Sequence, residues 1–171
     1  PALRSFKFNT SGTCANDMDF GVKRILTYST NDENSTWQNT PVTGVVKHND
    51  FDQEDNSQTF GSFLNALTFA SISSGSTVSG TDKSGTAVSN AGSITFDGNG
   101  RYTFNPAPSF TGTVTIPYRI CDNGSPSACD TASITITVDA LPASASAVIA
   151  NNDEDISYGT SVNGNLFQND K

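Results

Sequence analysis

Cationic side chains are scarce in this chain: Lys and Arg number 9 against 17 Asp and Glu in 171 residues, a formal net charge of −8. Such a surface repels a phosphate backbone and argues against nucleic acid as a partner. Histidine is scarcer still. His48 stands alone, which excludes two-histidine metal motifs and leaves a Ser-His-Asp triad hanging on a loop residue with no Gly-x-Ser-x-Gly partner. No apolar run approaches the ~18 residues of a membrane span, so the chain reads as not membrane-spanning. It opens at Pro1 without a basic-then-apolar leader, and the expectation is that the leader belongs to sequence upstream. No segment sustains a 3.6-residue apolar period, which leaves no helical core to build.

What is present is alternation and repetition. Only 35% of residues are hydrophobic, yet they cluster in alternating runs of the kind a half-buried sheet needs and a disordered chain lacks. The segment from Asn31 to Asp50 (NDENSTWQNTPVTGVVKHND) recurs from Asn152 to Asp170 (NDEDISYGTSVNGNLFQND), with Val42-x-Gly44 matched by Val162-x-Gly164 and Asn49-Asp50 by Asn169-Asp170. The offset is 152 − 31 = 121 residues at the start and 169 − 49 = 120 at the end. A period of about one domain means beads on a string rather than a solenoid of roughly 20–50-residue units. The chain therefore reads as a slice of a longer polypeptide, with residues 1–28 the terminal strands of a preceding module, 29–138 one complete repeat, 139–147 (DALPASASA) a linker by composition, and 148–171 the opening strands of the next repeat.

Within the complete repeat, SITFDGNGRYTF reads as a hairpin: Ile94 and Phe96 alternate, Asp97-Gly98-Asn99-Gly100 supplies residues tolerant of positive φ, and Tyr102 and Phe104 resume the alternation. TVTIPYRI and ASITITV place Val114, Ile116, Tyr118 and Ile120, then Ile134, Ile136 and Val138, on inward faces. Residues 71–92, rich in Ser, Gly, Thr and Ala, are either a long loop or polar edge strands, and period counting does not decide. The predicted fold is all-β, an immunoglobulin-like β-sandwich of about seven strands.

Three cysteines fix the expected compartment. Cys121 and Cys129 bracket DNGSPSA, whose Asn-Gly and Ser-Pro are turn formers between two strand-like runs, so the thiols fall across a hairpin where a disulfide closes a short loop. Reduced buried thiols or a metal pair are the alternative, weakened because no other Cys or His lies nearby. A disulfide implies an oxidising, extracellular setting. Cys14 is left over, with any partner expected upstream of Pro1.

The order Asn31-Asp32-Glu33, Thr40-Pro41-Val42-Thr43-Gly44, Asn49-Asp50-x-Asp52, Tyr102-Thr103-Phe104-x-Pro106-x-Pro108-x-Phe110-x-Gly112-Thr113, Tyr118-x-x-Cys121-Asp122 and Thr131-Ala132-x-Ile134-Thr135-Ile136 resembles the bacterial immunoglobulin-like, cadherin-like tandem repeat of large Bacteroidetes-type cell-surface adhesins. The resemblance covers about 29–138 and restarts at Ala150. Asp17-Met18-Asp19-Phe20-Gly21 is similar to the last strand of another adhesin module, the prealbumin-like repeat. The resemblance implies a secreted, cell-surface, non-catalytic stalk or filament repeat serving cell attachment or gliding, often calcium-dependent. Its implied partners are neighbouring repeats of the same polypeptide and surface glycans or proteins. The alternative is an accessory β-sandwich of a secreted hydrolase, either a spacer or a carbohydrate-binding module.

The residues themselves offer one concentrated oxygen cluster, Asn49-Asp50-x-Asp52-x-Glu54-Asp55-Asn56, and alternate acidic residues in a tight loop suit the 6–8 oxygen ligands of calcium. It is not an EF-hand, because Asp55 stands where the Gly belongs and Gly61 where the bidentate Glu belongs. Position by position, the resemblance implies Asn31, Asp32 and Glu33, then Asp50, Asp52 and Glu54, with Asp122 and Asp130, as calcium ligands. Here Gln53, Asp55 and Asn56 stand where the family carries Pro, Gly and Asp, and the competing reading is a solvated acidic loop. Trp37 suits packing better than a sugar platform. Asp130-Thr131-Ala132 is similar to a Bacteroidetes O-glycosylation triplet, and Asn34-Ser35-Thr36 fits an Asn-glycosylation pattern.

Overall fold

The computed structural model describes residues 27–52, 57–124 and 127–142. The expectations for 1–26, including Cys14, and for the second copy of the repeat lie outside the described residues, as does Glu54. Ten strands appear among them: β1 Thr27–Tyr28, β2 Asp32–Trp37, β3 Val42–Val45, β4 Phe51–Asp52, β5 Thr59–Phe63, β6 Ser76–Asp82, β7 Ala87–Phe96, β8 Arg101–Pro106, β9 Gly112–Cys121 and β10 Cys129–Asp139. The ladder runs β2-β10-β9-β6-β7-β8-β3, with β5 also on β9 and β1 paired with β4. β2 lies parallel to β10 and the other pairs are antiparallel.

The ladder does not lie flat. β6 meets β9 only at Thr81–Thr113 and Asp82–Gly112, and there the strip turns over to lay β6-β7-β8-β3 across β5-β9-β10-β2. Ring pairs join the layers: Phe60 meets Phe96 at 5.9 Å and Phe63 meets Tyr102 at 6.0 Å between centroids. This is the all-β sandwich of immunoglobulin type, with the two edges closed toward each other rather than left as long open rims. The inward positions of β9 and β10 alternate as the sequence does, with Val114, Ile116, Tyr118, Ile120, Ile134, Ile136 and Val138 all buried. Each aliphatic side chain removed from water there contributes roughly 1.5–3 kcal/mol.

Two local features differ from the expectation. The polar stretch 71–92 is mostly strand, β6 and the start of β7 joined by short turns, and β6 is not an outer strand because its end pairs with β9 as well as β7. Its backbone supplies the pairing while Thr77, Ser79 and Thr81 face water. The inward alternation was faint because Gly80 occupies a position where a Cβ would stand 2.7 Å from the Thr113 carbonyl oxygen and 2.9 Å from the Ala91 Cβ. In the β7–β8 turn only Gly100 of the four residues has positive φ, at 76°. The Asp97 carboxylate organises the rest by accepting from the Asn99 and Arg101 N–H groups at 2.8 and 3.1 Å.

Cys121 and Cys129 face each other across β9 and β10 and are bonded, eight residues apart in sequence. They mark the N-terminal pole, where β1 arrives. Asp139 and Trp37 mark the opposite pole, where the chain leaves. A loop this short constrains the unfolded chain by about 2–3 kcal/mol. Replacing both cysteines by serine is expected to lower the unfolding free energy in urea by that amount, with a slope no smaller than the parent's because the unfolded chain is freed to expand. An unchanged midpoint would show that the hairpin needs no staple.

A candidate cation site at the N-terminal pole

Tyr118 occupies an inward position of β9, and its ring is fully buried. A buried phenol must place its hydroxyl. Here the hydroxyl meets the Thr30 carbonyl at 2.7 Å, the Asp50 Oδ1 at 3.0 Å and the Val46 carbonyl at 3.3 Å, and the Asp32 carboxylate is hydrogen-bonded to it as well. One proton is offered to four acceptors, so most of these oxygens meet the phenol lone pair to lone pair. Burial, with Asp32 and Asp50 beside it, pushes the phenol far above its ordinary titration range.

Asp50 is the centre of this cluster. Only 3% exposed, it accepts through Oδ1 from the Thr30 N–H at 2.8 Å and from Tyr118, while its Oδ2 is buried with no hydrogen-bond partner. Burial drives its pKa up to about 6, against the lowering by the Thr30 N–H and Tyr118 hydroxyl, and the Asp130 charge adds to the rise. Neighbouring bonds pin the loop to the incoming strand. The Asn49 amide donates to the Asn31 carbonyl at 3.3 Å, and the Gln58 amide donates to the Asp50 carbonyl at 2.6 Å. Asp52, also buried, pairs with Thr27 in the β1–β4 ladder, beside a stacked Tyr28–Phe51 pair 4.9 Å apart.

The β9–β10 hairpin brings the remaining carboxylates to the same segment. Buried Asp122 accepts through Oδ1 from the Gly124 and Ala128 N–H groups at 3.1 and 2.8 Å, and its own N–H donates to the Ala128 carbonyl. The Thr27 hydroxyl donates to that carbonyl too. Asp130 accepts from the Ser29 and Thr131 N–H groups at 2.9 and 2.8 Å. Burial pulls its pKa upward, but these bonds, with the Ser29 hydroxyl, outweigh it and hold Asp130 below the ordinary carboxylate value.

The structure thus divides seven of the eight candidates, Glu54 lying outside the described residues. Asp32 and Asp50 share one phenol; Asp122 and Asp130 organise the hairpin that receives Thr27–Ser29; Asp52 lies in β4; Asn31 is exposed and accepts from the Ser133 N–H at 3.0 Å; Glu33 faces water. Among the described residues no three Asp, Glu, His or Cys side chains converge as metal ligands. Calcium also takes carbonyl oxygen, however. The buried Asp50 carboxylate with its Oδ2, the half-buried Asp32 carboxylate and the Thr30 and Val46 carbonyls form a donor set of hard oxygens that fits such a cation. Sequence reading missed Tyr118 as a member of this site and read it only as core. The signal was a Tyr rather than a Phe at an inward strand position.

Other candidates resolve simply. His48 is exposed. The Asn34 amide is buried and donates to the Thr43 carbonyl at 3.1 Å and the Tyr102 hydroxyl at 2.8 Å, so the folded chain does not present it for glycosylation. Gly44 makes room for that hydroxyl, since a Cβ there would stand 2.5 Å from it. Thr131 is exposed.

A two-layer immunoglobulin-like sandwich with these strands defines a class, and the sequence comparison narrows it. The chain belongs to the bacterial Ig domain family, whose match spans residues 26–137. Among solved structures it is similar to a nucleoside hydrolase-related hypothetical protein from Saccharophagus degradans that is associated with carbohydrate metabolism, at 16% identity and a TM-score of 0.42, over 63% of this chain and 22% of that one. The chain spans about a fifth of that protein's length, and a likeness this low carries no functional argument. No curated relative matches the sequence. Among the described residues no helix is long and apolar enough to cross a membrane.

The two shifted carboxylates set opposite pH trends. Asp50, raised when folded, favours the folded state once protonated, so its contribution is lost as pH rises through about 6. Asp130, lowered when folded, contributes above the ordinary carboxylate range and loses that contribution as pH falls through its folded value. In chelator the melting temperature is therefore expected to rise as pH is lowered from neutrality toward 5, and Asp50→Asn is expected to remove that rise. A flat profile for the parent chain would place Asp50 in water.

Proposed function

We propose that this bacterial Ig domain is a non-catalytic stalk or filament repeat of a secreted surface adhesin, stiffened by calcium at its N-terminal pole and serving cell attachment or gliding, with neighbouring repeats of the same polypeptide as its constant partners. The observation that carries the reading is the buried Asp50 carboxylate, with Asp32 beside it and an Oδ2 that no protein hydrogen bond satisfies. Family membership, the disulfide suited to an oxidising compartment, and the recurrence of the Asn31–Asp50 segment 121 residues on support the tandem, extracellular part.

The stiffening follows from where the oxygens come from. Thr30 and Asp32 belong to the incoming segment, Val46 and Asp50 to the β3–β4 connection, and the Tyr118 hydroxyl to β9. Lys47 offsets the Asp50 charge only in part, and with Asp32 at the same phenol and Asp130 near, full ionisation of these carboxylates is disfavoured, which loosens the incoming segment. A cation held by Asp32, Asp50 and the two carbonyls would neutralise the carboxylates and tie the incoming segment to the β3–β4 connection, beside the Tyr118 hydroxyl of β9. The chain's own residues position the donors: Thr30 N–H orients Asp50, Asn49 fixes the Thr30–Asn31 backbone, and the disulfide-closed hairpin holds Thr27 and Ser29.

Binding only the folded state at 100 times the dissociation constant adds about 2.7 kcal/mol. Melting in excess calcium is expected above melting in chelator, with Asp32→Asn and Asp50→Asn each removing most of the difference while leaving Tyr118 its partners. Identical melting in both conditions would end the calcium reading.

A further inference from the structure

The four exposed large hydrophobic residues among the described ones are Tyr28, Leu67, Phe69 and Leu141, and two of them sit on one turn between β5 and β6. Leu67 is 89% and Phe69 55% exposed. This turn is tightly built. The Asn65 Oδ1 accepts from the Leu67 and Thr68 N–H groups at 2.9 and 3.1 Å, the Phe69 N–H donates to the Asn65 carbonyl at 2.8 Å, and the Asn65 N–H donates to the Ala70 carbonyl at 2.8 Å. Leu64 bridges Ser71, and Ile72 N–H donates to the Phe63 carbonyl. Phe69 is held at φ 53°, a left-handed conformation that an L side chain avoids. The chain thus uses a rigid, strained turn to hold two large apolar side chains in water.

Its position settles which kind of partner can reach it. Leu64 sits opposite Pro117, and the turn extends about three residues past it, roughly 10 Å. β9 runs five residues further to Gly112, roughly 17 Å, so the tip falls on the flank, short of the pole where the chain continues. A neighbouring repeat on the same polypeptide meets the poles, and a partner on the flank comes from another molecule. Charge selects which one. From Ser57 to Thr81 there is no Asp, Glu, Lys or Arg, and from there to Phe96 only Asp82 and Lys83, which cancel. On a chain of net charge −8, a two-fold interface sets like against like, and a segment this poor in charge keeps that repulsion small. Arg119, across from Ser62, is the charge on the adjoining strand.

We infer that the β5–β6 turn, with Leu67 and Phe69 at its tip, is a lateral docking surface for a second copy of the chain. The contact does not depend on the cation site, which lies at the N-terminal pole. One domain offers a small area and weak pairing, which tandem copies would multiply through avidity.

Sedimentation equilibrium of the full 171-residue chain, from micromolar to millimolar concentration, tests this. The expected result is a monomer–dimer equilibrium, unchanged by chelator and tightened by salt as the net charges are screened. Leu67→Lys with Phe69→Lys should weaken it at least tenfold. Phe69→Gly should weaken it too while melting no lower than the parent, because glycine adopts the left-handed conformation freely; that readout separates docking from a folding defect. A chain monomeric throughout at high salt, or a dimer indifferent to all three substitutions, overturns the inference. So does a monomer that floats with phosphatidylcholine vesicles and loses that binding in the lysine variant, which would make the turn a lipid contact.

Discussion

The Tyr118 hydroxyl is where the sandwich and its N-terminal approach are joined. β9 is the strand on which the fold closes, pairing with β10, β5 and β6, and Tyr118 carries that rigidity to the loops that precede the core. Two segments far from β9 in sequence reach its oxygen: Thr30 and Asp32 in one, Val46 and Asp50 in the other. A phenylalanine would pack equally well and leave the Asp50 carboxylate buried with one fewer donor. The cost of an unsatisfied buried carboxylate far exceeds that of a lost neutral hydrogen bond, so the position is specified by polarity rather than volume.

From this constraint the asymmetry between the two poles follows. The N-terminal pole gathers Asp32, Asp50, Asp52, Asp122 and Asp130, four of them organising backbone N–H groups or the phenol. At the opposite pole, Asp139 is paired with Lys83 at 2.7 Å, an exposed bridge of little energetic weight. Among the described residues, carboxylates are thus concentrated at the N-terminal pole. The disulfide sits at the same end, bracing the hairpin from which Asp122 and Asp130 project.

Much of the fold was legible because β9 and β10 bury one face and wet the other, so Val114 to Ile120 and Ile134 to Val138 alternate without interruption. β6 was not, because Gly80 replaces an inward side chain with backbone contact, and pairing through the main chain leaves no compositional mark. The acidic loop was legible as a cluster but not as a buried one. Asn49, Asp50 and Asp52 look like solvated turn residues until Thr27–Asn31 packs on them and Tyr118, 68 residues from Asp50 in sequence, bonds Asp50. The strand carrying Glu33 directs that side chain to water, which no local pattern around Asn31-Asp32-Glu33 foretold. Asn34 looked like a surface glycosylation acceptor because its role depends on Tyr102 in the opposite layer.

Hard oxygens crowd the Tyr118 hydroxyl, and we propose that they hold a cation there. Terbium ions occupy calcium sites and emit when a tyrosine within a few ångströms transfers its excitation, so sensitised terbium luminescence tests that claim at its centre. Emission is expected to saturate on titration, to be displaced by calcium, and to disappear in Asp50→Asn while the fold persists. A folded chain that gives no sensitised emission, or emission indifferent to Asp50, would contradict that claim.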